Sequence, residues 1–114
     1  MQKDYTSLVN ARARLEPIYT LYVNTVSSFQ MALSLESAAL VWALCDERRP
    51  AKIVDLGSGF SSFVLRHWAK VSGREVEVWS VDDDAEWLQK SKEFCASTGV
   101  STEKFSTWAA CLVA

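Results

Sequence analysis

The passage Ile53-Val54-Asp55-Leu56-Gly57-Ser58-Gly59-Phe60 constrains the fold of this chain more than any other. A short apolar run ends in an acid, a glycine-rich turn follows, and Phe63-Val64-Leu65-Arg66-His67-Trp68-Ala69 continues with helical spacing. That order reads as strand, tight loop, helix. Gly57 and Gly59 supply backbone angles closed to other residues and let a bound group approach the main chain. The start of the following helix offers free N–H groups and the positive end of a dipole, which suit a carboxylate or a phosphate.

The segments on either side extend the pattern. Upstream the chain reads as helical. Asp4, Thr6 or Ser7 is expected to cap a first helix with Leu8, Val9, Ala11 and Leu15 on one face. Pro17 fits the first turn of a second helix running from Ile18 to about Ser28. Ser34-Leu35-Glu36-Ser37 opens a third, apolar nearly all round and therefore expected to be buried, which ends before Pro50. From residue 51 the pattern alternates. Lys52–Asp55 predicts a strand, Phe60–Lys70 a helix, Glu75–Val81 a second strand and Ala85–Ala96 a second helix closed by Gly99. Lys104–Trp108 and Ala109–Ala114 read as one further strand or as an apolar tail. The expectation is an α/β chain: helical residues 1–50, then a Rossmann-like parallel sheet over 51–114 that is incomplete at two or three strands.

Composition narrows the function. In 114 residues, 49% are hydrophobic, enough for the core of one domain. A net charge of −2 with scattered basic residues gives no footprint for nucleic acid, and Arg48-Arg49 reads as a helix end. No apolar stretch reaches the roughly 20 residues that span a bilayer, so no membrane partner is expected. Cys45, Cys95 and Cys111 lack metal-ligand spacing and read as reduced thiols. Met1-Gln2-Lys3-Asp4 leads into a polar segment, which suggests no cleavable leader and a cytoplasmic protein.

Two acids refine the ligand. A carboxylate at Asp55 would repel a pyrophosphate and attract an ammonium or sulfonium group, on a Coulomb scale of about 4 kcal/mol at close range. The alternative is that Asp55 only organises the turn. Asp82 ends the second strand, where a carboxylate can accept the hydroxyls of an adenosine ribose. Asp83 and Asp84 follow, with Asp84 the better helix cap. Five tryptophans read as packing and the single histidine, His67, as a surface or core-edge residue; Trp87 stands out because its helix starts beside Asp82. Ser61-Ser62 lacks the surroundings of a nucleophile elbow.

These residues resemble the class I S-adenosylmethionine-dependent methyltransferases, in the small-molecule O-methyltransferase-like branch, over roughly residues 30 to 100. Val54-Asp55-Leu56-Gly57-Ser58-Gly59 is similar to that family's first motif and Val78–Trp87 to its second. Met31-Ala32-Leu33-Ser34 with Glu36 is similar to a stretch that helps hold the methionine part of the cofactor. The resemblance implies S-adenosyl-L-methionine as cofactor and methyl transfer to a small-molecule acceptor. It sets Asp55 near the cofactor amino group, directly or through water, and Gly57, Ser58 and Gly59 under its methionine and ribose portions. It sets Asp82 on the ribose hydroxyls, Asp83 near the adenine, and Met31 and Ser34 as further contacts. No metal site and no catalytic base is implied. Ser61 stands where the fuller motif has a third glycine, and the family's later strands find no counterpart. The expectation is therefore a homo-oligomer or a chain lacking its C-terminal half, inactive alone. A non-catalytic partner module of the same fold and a nicotinamide-dependent oxidoreductase fragment are the rival readings.

Overall fold

The computed structural model describes residues 6–28 and 30–113. Asp4, one candidate cap for the first helix, and Ala114 lie outside them. The order of elements is α1 (Thr6–Thr25), α2 (Leu35–Arg48), β1 (Lys52–Leu56), α3 (Phe60–Ser72), β2 (Glu77–Val81), α4 (Ala85–Ser97), β3 (Phe105–Ser106) and α5 (Trp108–Leu112). The three strands form one parallel sheet in the order β1-β2-β3, with Asp55 beside Ser80 and Ser80 beside Phe105. The chain is an α/β structure, as the alternation after residue 51 predicts.

The two helices expected on either side of Pro17 are one. α1 runs through Pro17, which is exposed, as is Ala13, the residue whose carbonyl loses its donor to the proline ring. Its buried face is Ala11, Leu15, Tyr19, Tyr22 and Val23, while Val9, expected inside, is exposed. α2 begins where Ser34 predicts, its hydroxyl accepting from the Ser37 N–H at 3.1 Å. It is not buried all round. Leu35, Ala38, Ala39, Trp42 and Cys45 form an inner stripe against α1 and α3, and Leu40 and Leu44 point outward because none of the described elements covers that side.

A single core runs from Ala11 to Val100, so the helical segment and the sheet share it. Its centre is aromatic. Tyr22 meets Phe60 at 5.3 Å and Phe94 at 4.9 Å, and Phe63 meets Phe60 at 5.6 Å. The sheet face carrying Asp55, Val78 and Ser80 is buried beneath the helices, whereas Val54 and Leu56, on the opposite face of β1, are 56% and 70% exposed. The last strand is shorter than expected. Lys104, with φ of 61°, breaks the extended run before it. Thr107 ends it by capping α5, its hydroxyl accepting from Ala110 N–H at 3.3 Å. No helix among the described residues is long and apolar enough to cross a membrane.

Candidate functional site

The glycine turn joins β1 to α3 at the end of the sheet where both long strands finish. Gly57 has φ of 102°, and a Cβ there would touch nothing within 4 Å, so its requirement is conformational. Gly59, with φ of 155°, is tied to its surroundings as well: a Cβ would lie 3.3 Å from the Tyr22 hydroxyl and 3.7 Å from Trp87 Nε1. The turn is anchored to β2 by Gly57 N–H donating to Val81 O at 2.6 Å.

Asp82 gathers this turn. Its Oδ2 accepts from the Ser58 N–H at 2.9 Å and the Ser58 hydroxyl at 3.0 Å, and its Oδ1 accepts from Asp84 N–H at 3.0 Å. Partial burial would raise its pKa, but the hydrogen bonds from Asp84, Ser58 and Asp83 outweigh that and hold it below the usual carboxylate range. Asp84 caps α4 as expected, accepting from the N–H groups of Glu86 and Trp87 at 3.0 Å each. The cap orients the first turn of α4, so that Trp87 Nε1 donates to Ser58 O at 2.6 Å. A cleft of about 550 Å³ opens here, lined by Val26, Ser27, Ser28, Met31, Asp82, Asp84 and Trp87. One wall polar atom, Ser27 Oγ, is buried with no hydrogen-bond partner.

Asp55 lies beneath the turn, 7% exposed. Its Oδ1 accepts from Ser61 Oγ at 2.8 Å, and its Oδ2 from Ser62 Oγ and Ser80 Oγ at 2.7 Å each. Ser80 in turn accepts from Arg66 Nη1 at 2.7 Å, so a buried anion and a buried cation meet through one hydroxyl. The Arg66 guanidinium also donates to Ser62 O and Glu103 O at 3.1 Å each and lies 3.9 Å over the Phe105 ring. Burial lowers its pKa, with Cys95 and Asp55 opposing, but a guanidinium stays protonated. Burial likewise pushes the Cys95 thiol up to about 11 and the Tyr22 hydroxyl up to about 12.

The structure thus ties Ser58 of the glycine turn to Asp82 and sets Met31 and Asp82 on one cleft, which Gly57, Ser58 and Gly59 do not line. Asp83 is exposed beside it. Ser34 is apart from the cleft and its hydroxyl is spent on capping α2. Asp55 serves the turn and the first residues of α3. His67 is half-buried, stacked on Phe63 at 5.2 Å and near Trp42 at 5.3 Å. Burial, then Arg14 and Lys70, lower its pKa. Among the described residues no group of three or more His, Cys, Asp or Glu side chains is placed to hold a metal ion. Sequence reasoning missed Arg66, Ser80, Ser62 and Tyr22. The available signal was the four-residue spacing of Ser62 and Arg66 on the helix face that also carries Phe63. In comparisons with known proteins, no family model matches the chain and no curated protein matches it significantly.

Proposed function

We propose that this chain is the cofactor-binding part of a Rossmann-like, S-adenosyl-L-methionine-dependent methyltransferase acting on a small-molecule acceptor. The observation that carries the reading is that Asp82, which lines the 550 Å³ cleft, holds Ser58 of the glycine turn, outside the carboxyl ends of two parallel strands. Ligands of open parallel sheets bind there. The residues suit the ribose end of the cofactor: an ionised acid faces the cleft, and the turn beside it has its conformation fixed by glycines. Of the two contacts expected at the ammonium end, direct or through water, the indirect one suits Asp55 better. Both Asp55 oxygens already accept hydroxyls, and Ser61, half-buried where the Asp55 network nears the surface, is the group through which that charge reaches a ligand.

When bound, the cofactor would supply an electrophilic methyl group on sulfur. The chain's own residues orient it: Asp82 takes ribose hydroxyls, the glycine turn lies under the chain of the ligand, and Trp87 fixes the turn from α4. The same reading puts the protein in the cytoplasm, where its three unbonded thiols stay reduced. The test is a calorimetric titration with S-adenosylhomocysteine, with NAD⁺ in a parallel cell. Saturable binding of S-adenosylhomocysteine alone is expected. Binding of NAD⁺ alone would move the assignment to a nicotinamide-dependent enzyme, and binding of neither would remove the cofactor role.

A second reading, a non-catalytic partner module, is favoured by one observation. β1 is an edge strand whose outer face exposes Val54 and Leu56. Such an edge takes another strand, here from a second copy or from further strands of the same fold. Sedimentation that shows only monomer at every concentration would count against a homo-oligomer.

A further inference from the structure

We infer that Ser58 sets the affinity of the site for ribosyl ligands, because its hydroxyl occupies the acceptor position on Asp82 that a ligand's vicinal diol needs. The inference rests on the reading of Asp82 as the ribose acceptor. A carboxylate offers about four lone-pair sites. On Asp82 the Ser58 N–H and O–H both take Oδ2 and the Asp84 N–H takes Oδ1. Two of these donors belong to the main chain. They are fixed by the turn, by the cap on α4 and by the Gly57–Val81 bond. Only the Ser58 hydroxyl leaves by turning about one side-chain bond, from one staggered well to another. An arriving diol must displace it.

The displacement exchanges one hydrogen bond to a charged oxygen for another, so the ligand gains little from its first hydroxyl. Removing the Ser58 hydroxyl leaves that position open while the turn keeps its other supports. The Ser58 N–H still reaches Asp82, and Trp87 Nε1 still holds the Ser58 carbonyl. Ser58→Ala therefore separates the hydroxyl's competition from the architecture of the loop.

The experiment compares adenosine with 2′,3′-dideoxyadenosine by NMR titration of the intact chain and of Ser58→Ala. Adenosine is expected to bind the variant more tightly by on the order of tenfold, the worth of one charge-assisted hydrogen bond, with the dideoxy compound unchanged. Equal or weaker adenosine binding to the variant, with adenosine still preferred over the dideoxy compound, overturns the competition and leaves the ribose reading standing. No preference for adenosine in either protein, or no binding of either nucleoside, removes the ribose reading and this inference with it. A ligand-free measurement runs beside it. The Asp82 carboxyl, followed by NMR, should titrate at higher pH in Ser58→Ala; an unmoved titration overturns the hold that Ser58 has on it.

Discussion

Asp55 and Asp82 stand at the ends of neighbouring parallel strands, and their surroundings assign them different work. Asp55 is almost fully buried, and every donor it uses is a side-chain hydroxyl, with Arg66 one hydroxyl further on. Asp82 is partly exposed, and its donors are mostly main-chain N–H groups of the turn and of the cap on α4. The first carboxylate is part of the interior and ties β1, α3 and β2 together. The second shapes a surface and keeps its charge toward the cleft. An acid at a strand end is therefore no single signal: whether it is enclosed in the fold or left facing a cleft depends on which of its neighbours can reach it.

The strongest way to break this contrast is Arg66→Met. It strips the buried cation from the Asp55 network and should cost about 3–5 kcal/mol in urea unfolding, as one-sided removal of a buried charge does. Combining it with Asp55→Leu should recover part of that loss in a double-mutant cycle; strict additivity would show that the two charges do not sense each other. Asp55→Asn alone is expected to lose about 1–3 kcal/mol, because one of its two acceptor atoms becomes a donor facing serine hydroxyls. Asp82→Asn should lose under about 1 kcal/mol, its site being wet, yet abolish measurable binding of S-adenosylhomocysteine. A stability loss as large as that of Asp55→Asn would erase the distinction.

The smallest effect is in the pH dependence. His67 has a folded pKa below its ordinary value of 6.5, so the unfolded chain takes up the proton first. Its contribution to stability is complete above that pH and is lost as pH falls from 6.5 toward the folded value. His67→Gln should flatten the curve in that window. Asp82 acts lower down: its depressed pKa gives stability present above 3.8 and lost as pH falls through the folded value.

What was legible in the sequence was local. The strand, glycine turn and helix of residues 52–72 follow from adjacent residues, as do the caps at Ser34 and Asp84 and the turn at Gly99, whose φ is 79°. Pro17 misled because a rule about helix starts says nothing of which way the residue faces; on the solvent side a helix tolerates it. Arg66 was invisible for a different reason. An arginine in a helix reads as surface, and its burial depends on Phe105 and the Glu103 carbonyl, brought close only when β3 joins the sheet. The two faces of α2 likewise depend on which helices arrive to cover it.

The hydrogen bond from Trp87 to the Ser58 carbonyl gives the molecule an optical reporter of its own turn. The indole lines the cleft while its N–H grips the loop, so movement of Ser58 changes the polarity at the ring nitrogen. A chain keeping Trp87 as its sole fluorophore of this type would translate loop displacement into a shift of emission wavelength, read in stopped flow without any label.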